Sequence, residues 1–421
     1  MTKNRLEILL RSLFVLLLAL TAHGASGQGK GGDTAQWPAF NVQLKSGLDS
    51  LLSHPMFQRS QVALLVYDLD GDSVLYDRGS RQLMRPASVM KVLTSTSALA
   101  MLGADHPFRT SLSYSGVIEA DTLVPDSLGR RLVLRGDIYL RGGFDPLFGR
   151  EDMQAMLRAI RESGVRRIDG TVYADLTFKD TLKWGEGWCW DDKEATLTPL
   201  LYNSKDIFMT RFMQGLDADS IVRPASYRRL TGQRLESVVT TPLYECSHTI
   251  SQMLPHMMKE SDNLYAESLF YQMGYAPTRG GSSTARRSAE REYGLIRQLG
   301  LNPDSYTVAD GSGLSLYNYL TPQLVVRLLR YVWSTPRIFD ELYPALPVAG
   351  RDGTLKKRMK GTAAEGNIHA KTGTLRKVST LAGYATTSSG RHLAFCIFNQ
   401  GILNAQEGRD FQDRVCLELV K

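Results

Sequence analysis

Pro86-Ala87-Ser88-Val89-Met90-Lys91 leads into a stretch that holds no further Pro or Gly until Gly103. Proline suits the first helical position, where its missing N–H costs nothing, and glycine suits the position just past the end. The spacing predicts a helix from about Ala87 to Leu102, with Ser88 in its first turn. Ser88 and Lys91, three apart, then share one helical face. A serine hydroxyl beside an amine is a nucleophile with its base, provided burial or a neighbouring positive charge lowers the lysine pKa; Lys371 is the candidate neighbour. First-turn amides have no intrahelical partner, so the Ser88 N–H is available as half of an oxyanion hole. The plain alternative is a serine near a cap and a solvated lysine.

Two further strings follow in order. Ser261-Asp262-Asn263 falls at a break between a helical stretch, Thr249 to Met258, and a second one through Leu264, Ala266 and Phe270. Short polar residues at such a break are commonly N-caps. The functional reading has Ser261 pass protons between Lys91 and a leaving group, and Asn263 bond a substrate amide. Lys371-Thr372-Gly373-Thr374 closes a strand-like run from Asn367. A glycine inside a strand marks close approach of another backbone. Here a substrate peptide would lie along the strand edge, with Lys371 and Thr372 on its terminal carboxylate and the Thr374 amide completing the oxyanion hole. Each string is a weak signal alone; the three together, each in its own structural setting, read as a serine acyl-transfer site.

Gln61 to Arg78 reads as a β-hairpin turning at Asp70-Gly71. Ser261 follows Lys91 by 170 positions, too many for a simple connection. They hold short β-like runs (Arg131 to Leu140, Gly170 to Phe178) and a helix. In that helix Met153, Met156, Leu157 and Ile160 follow the helical period, and Gly164 closes it. Thr321-Pro322 reads as a cap and first position of a helix with Val325, Leu328, Leu329 and Val332 on one face. Strands are predicted near the end at Asn367–Thr374, Ser379–Thr386 and His392–Phe398, then a helix from Ala405 to Leu419. The expected class is α/β of the α+β kind: a mixed sheet flanked by helices, with a large mixed α and β insert. The expected division is 28–106, an insert over 107–245, and 246–421 returning to the first domain.

Ahead of these lies a leader, 1–27: Lys3, Arg5 and Arg11, an apolar run from Leu13 to Leu20, then small residues from Ala22 to Gly27. This is the layout of a cleaved signal peptide, and no other segment approaches the length of a membrane span. A stable membrane anchor is therefore not expected. Loss of those three cations and Glu7 takes the formal charge from +7 to +5. Without a clustered basic stripe, this modest excess does not indicate nucleic-acid binding. Cys189, Cys246, Cys396 and Cys416 are too scattered for a disulfide scaffold, and no CxxC suggests a metal. Pairing of Cys396 with Cys416 and buried free thiols both remain open.

The triple, with its long insert, resembles the penicillin-binding protein 4 family of D-alanyl-D-alanine carboxypeptidases and endopeptidases, peptidase family S13. The likeness extends to Gly143-Phe144-Asp145-Pro146-Leu147, Gly187-Trp188-Cys189-Trp190-Asp191-Asp192, Asp310-Gly311-Ser312-Gly313-Leu314-Ser315 and Gly350-Arg351-Asp352-Gly353-Thr354-Leu355. It implies a β-lactamase/transpeptidase-like fold and a periplasmic enzyme that acts on peptidoglycan stem peptides. Ser88 would be acylated, Lys91 the base, Ser261 and Asn263 the second element and Lys371 the third. β-Lactam antibiotics would be covalent inhibitors, and neither metal nor organic cofactor would be required. Asp175 matches an acidic residue that receives the free amine of the stem peptide's diamino acid, with an ordinary strand-end turn residue as the alternative. Where the family often carries an arginine for the diamino acid's carboxylate, this chain has Leu316.

Other candidates are set aside. His369 near Lys371 lacks the Gly-x-Ser-x-Gly elbow of a Ser-His-Asp site. Asp191, Asp192 and Glu194 read as turn residues or local salt bridges, and Trp184, Trp188 and Trp190 as packing under a loop. Two rivals to the carboxypeptidase reading are a β-lactamase-like hydrolase, against which stands the lack of a Glu-Pro-Glu-Leu-Asn-like segment, and a non-catalytic peptidoglycan-binding protein, against which stand the intact strings.

Overall fold

The computed structural model describes residues 36–123, 131–232, 238–276 and 281–421. The leader over 1–27 lies outside the described residues. Up to Gln43, these include only the opening turns of helix α1 (Gln36–Leu52). From Leu44 on the chain is one compact unit. In chain order it holds β1 (Gln61–Asp68), β2 (Ser73–Arg78), α2 (Met90–Met101), β3 (Pro107–Tyr114), β4 (Val117–Ala120), β5 (Leu132–Arg135) and β6 (Ile138–Arg141). Then come α3 (Arg150–Glu162), β7 (Val165–Asp169), β8 (Val172–Asp175), α4 (Phe208–Ala218), β9 (Tyr227–Leu230), β10 (Thr241–Thr249), α5 (Ile250–Lys259), α6 (Asn263–Gly274) and α7 (Ala285–Gln298). The last part is α8 (Pro322–Trp333), α9 (Pro336–Ala345), β11 (His369–Leu375), β12 (Val378–Thr386), β13 (His392–Gln400) and α10 (Ala405–Leu419).

The two ends of the chain build one antiparallel sheet, ordered β11-β12-β13-β1-β2. Its seam is the β1–β13 pair, where Gln61 faces Gln400 and Asp68 faces Leu393. The run Val62-Ala63-Leu64-Leu65-Val66-Tyr67 is apolar without alternation and wholly buried. That pattern belongs to a strand covered on both faces. Helix α8 packs on β1 and β13, and α10 packs on β12. β11 is an edge strand, so one row of its backbone groups has no neighbour in the sheet.

The long intervening segment forms a second sheet, β10-β3-β6-β8-β9, and a small one, β4-β5-β7. The expected single run from Arg131 to Leu140 is two strands, because Gly136, with φ of +156°, breaks it where a side chain would overlap the Ser115 carbonyl. The run from Gly170 is shorter than expected and ends as strand at Asp175. Met153, Met156, Leu157 and Ile160 of α3 meet Phe208, Phe212 and Leu216 of α4 in a core separate from that of α2, α5, α6 and α8. β10, paired with β3, carries the chain back to Thr249, which caps α5 with its hydroxyl on the Gln252 N–H.

Cys396 on β13 and Cys416 on α10 are buried free thiols. This decides between the two open readings against a disulfide. Among the described residues, no helix is long and apolar enough to cross a membrane.

Candidate active site

The helix expected from Ala87 begins instead with a 3-10 turn over Ala87–Val89, and α2 proper starts at Met90. The cause is Ala87, whose φ of +46° is left-handed and so costs a residue with a Cβ. Tight surroundings hold it there. A side chain at Gly313, itself at φ +83°, would overlap the Ala87 carbonyl oxygen, and the Thr380 hydroxyl donates to the Pro86 carbonyl at 2.7 Å. The half-buried Ser88 is thus presented from a strained turn at the head of a buried helix.

Lys91 has no solvent exposure. Its Nζ lies 2.9 Å from Ser88 Oγ, 2.7 Å from Asn263 Oδ1 and 2.8 Å from the Ser312 carbonyl oxygen. Burial pulls its pKa down to about 8, against the opposing pull of Asp310, Glu267, Asp262 and Glu194. Of the two causes the sequence offered, burial is the larger. Two of its three contacts accept only, so a neutral Lys91 that donates to both keeps its lone pair for the Ser88 proton.

The Asp310-Gly311-Ser312-Gly313-Leu314-Ser315 string is the scaffold of that amine. Asp310, buried, accepts from the Gly313 and Ser315 amides, from Asn318 Nδ2 and from the Trp188 indole. Glu267 of α6 accepts from the Gly311 and Ser312 amides. Burial and the Asp310 charge push the Glu267 carboxyl up to about 8. Together they fix the Ser312 carbonyl on Lys91.

In the second string the cap and the site divide the labour. Asp262 caps α6 by accepting from the Tyr265 N–H, while Ser261, at φ +62°, and Asn263 turn to the lysines. Ser261 Oγ is bonded to Lys371 Nζ at 2.8 Å. Asn263 is held at both ends, Oδ1 accepting from Lys91 and Nδ2 donating one hydrogen to Glu194 Oε1 at 2.8 Å, which leaves its second N–H for a substrate. Glu194, read from sequence as a turn residue, reaches the site through Asn263, and no spacing signal links positions 194 and 263.

Lys371 is fully buried and donates to Ser261 Oγ and to the Thr372 carbonyl, both neutral. Burial, then the Lys91 charge, pushes it well below its ordinary value. Gly373 is in close approach to another backbone, but that backbone is the chain's own: a side chain there would overlap the Thr380 hydroxyl and lie 2.9 Å from the Pro86 oxygen and the Ser88 nitrogen. This lets β11 lie against the nucleophile turn, with exposed Thr374 next along it. Thr372 Oγ1 bonds to Thr354 Oγ1 at 2.7 Å.

Asp175 stands apart, buried at the end of β8. One carboxylate oxygen pairs with Arg141 Nε at 2.7 Å, and the other accepts from the Thr177 amide and hydroxyl. It lines a cavity of about 200 Å³ with Ser113, Tyr139, Arg141 and Thr177. At Leu316 the backbone carbonyl accepts from the Arg85 guanidinium at 2.9 Å. His369 stacks on Tyr343, with centroids 4.3 Å apart. Trp188 packs under the Asp310 loop, whereas Trp184 and Trp190 are exposed, which corrects the packing expectation for those two.

A strained serine bonded to a buried, pKa-lowered lysine, a second lysine on an edge strand and a Ser/Asn pair between them make up the site of a serine acyl-transfer enzyme. The model of the D-Ala-D-Ala carboxypeptidase 3 (S13) family matches residues 44–202 and 233–418, and the chain belongs to that family. It is similar to the D-alanyl-D-alanine carboxypeptidase of Actinomadura sp., 29% identical over 458 residues that cover 86% of this chain and 81% of that one. Its fold is like that of penicillin binding protein 4 from Haemophilus influenzae, at a TM-score of 0.76 and 19% identity over 88% of this chain and 98% of the other. The same protein complexed with a novel beta-lactam gives 0.69 and 20% over the same shares.

Proposed function

We propose that the chain is a serine-type D-Ala-D-Ala carboxypeptidase, exported to the periplasm, that trims peptidoglycan stem peptides and is acylated by β-lactams. The observation that carries this is the Lys91 amine, dry and within hydrogen-bond reach of Ser88 Oγ. A stem peptide adds to the free edge of β11, with its terminal carboxylate at Lys371 and Thr372. Ser88 Oγ attacks the penultimate D-Ala carbonyl as its proton passes to Lys91. The Ser88 and Thr374 amides hold the oxyanion. The C–N bond breaks, the departing D-Ala amine takes its proton through Ser261, and water then hydrolyses the ester, restoring Ser88. The substrate carboxylate supplies the counter-charge that buried Lys371 lacks.

Asp175 is assigned to the substrate's free amine, which must compete with Arg141 for it. Residues 107–245 are assigned as the insert, a reading supported by the start of β3 at Pro107; β10 runs on to Thr249. The test is digestion of monomeric and cross-linked muropeptides, with products identified by mass. Release of D-Ala from pentapeptide monomer, lost in Ser88→Ala, is expected, and cleavage of the cross-linked dimer would add endopeptidase activity. Intact pentapeptide after prolonged incubation with wild type would refute the assignment.

A further inference from the structure

A second constellation of chemically active side chains lies away from the lysines, where the intervening segment returns to the first domain. Cys246 and His248 alternate on β10 and so share one of its faces. Helix α3 packs against that strand and brings Asp152 from its first turn, and Asp145 comes from the loop after β6. Ligand atoms of Asp145, Cys246 and His248 all lie within 4.8 Å of one another. Cys246 Sγ donates to Asp152 Oδ1 at 3.1 Å, His248 Nδ1 lies 2.7 Å from Asp145 Oδ2, and His248 Nε2 lies 3.9 Å from Asp152 Oδ1.

Each carboxylate is held by its other oxygen. Asp145 Oδ1 accepts from the Leu147 N–H and Asp152 Oδ2 from the Gly149 N–H, so both remaining oxygens are aimed inward on rigid supports. The cluster is short of positive charge. The Asp145 side chain is fully buried and that of Asp152 is 21% exposed, and among the described residues the only ion-pair partner of either is His248.

We propose that Cys246, His248, Asp145 and Asp152 form a four-ligand site for a divalent transition metal of the zinc class. One thiolate, one imidazole and two carboxylates are the donors such ions take, and the Sγ–Asp152 and Nδ1–Asp145 spacings of 3.1 and 2.7 Å need only open to the roughly 3.3–3.7 Å edges of a zinc tetrahedron as the ion replaces the hydrogens between them. The cation takes the place of two hydrogens, one between Sγ and Asp152 and one between Nδ1 and Asp145. Binding releases the thiol proton to solvent and leaves a neutral imidazole with its proton on Nε2. Burial and the Asp152 carboxylate push the free thiol up, so the ion itself must drive its deprotonation. A bound ion fastens β10 to the start of α3, a structural role independent of the serine chemistry.

The test is titration of the chelator-treated full chain with Co²⁺. One equivalent is expected to give a near-ultraviolet sulfur-to-cobalt charge-transfer band, lost in Cys246→Ser and at least tenfold weaker in affinity in His248→Gln. Cys189→Ser is the control, because Cys189, Asp191 and Asp192 form an exposed turn cluster that also gathers donor atoms. Labelling by fluorescent penicillin, expected in every variant, reports folding. If Cys246→Ser fails that check, the same band and its weakening are read in His248→Gln. No band in wild type, a band lost in Cys189→Ser, or undiminished affinity in folded His248→Gln would overturn the proposal.

Discussion

Acylation of Ser88 by a β-lactam is expected to track the neutral fraction of Lys91. With the amine at about 8, that fraction is about one half at pH 8 and falls about tenfold per pH unit below, to roughly a tenth at pH 7 and a hundredth at pH 6. The carboxylates that act on Lys91 are Asp310, Glu267, Asp262 and Glu194, all of which raise its pKa. Glu194→Gln keeps an oxygen for Asn263 Nδ2 while removing one negative charge, so the acid limb should move to lower pH and acylation near pH 6 should rise severalfold. The assay is the second-order rate constant for fluorescent penicillin, measured by rapid quench from about pH 5.5 to 9.5. A flat profile, a limb centred near the ordinary histidine value, or an upward shift in Glu194→Gln would refute the assignment of Lys91 as base.

Further outcomes can be measured. Gly313→Ala drives a methyl group into the Ala87 carbonyl at a left-handed position and should cost about 1–3 kcal/mol in denaturant unfolding, with acylation slowed about 100-fold as the Ser88 turn shifts. Lys371→Ala should weaken both carboxypeptidase turnover and penicillin acylation about 100-fold or more, whereas a penicillin methyl ester should react about equally slowly with the variant and with wild type. Glu267→Gln, which retains an acceptor for the Gly311 and Ser312 amides, should leave the Lys91 limb below pH 7 nearly unchanged, unlike Glu194→Gln, because a carboxyl pushed up to about 8 is already protonated there. Asp175→Asn should raise KM for peptides with a free diamino acid amine and leave penicillin acylation unchanged.

The sheet was legible because its strands carry clear patterns: the unalternating run in β1, and the Lys-Thr-Gly string of β11 followed closely by the apolar stretches of β12 and β13. The helix Ala405–Leu419 and the Thr321-Pro322 start agree with sequence to the residue. What was not legible depends on contacts between distant positions. Ala87 looks like an ordinary helix former until Gly313 and Thr380 force it left-handed. Nothing in the sequence tells that Asn263 is held by Glu194, which arrives from 69 positions away. Gly373 signalled a close approach correctly, but only the fold reveals that the approaching backbone is Pro86–Ser88. The lowered Lys91 follows from complete burial, which a helical serine-lysine spacing does not state.

The central claim is that Ser88 is the acylated nucleophile. Intact-protein and peptide mass measurement after brief exposure to benzylpenicillin tests it most directly. The predicted result is a single penicilloyl adduct on the peptide containing Ser88, absent in Ser88→Ala and strongly reduced in Lys91→Ala. An adduct on another residue, or one that persists in Ser88→Ala, would contradict the account.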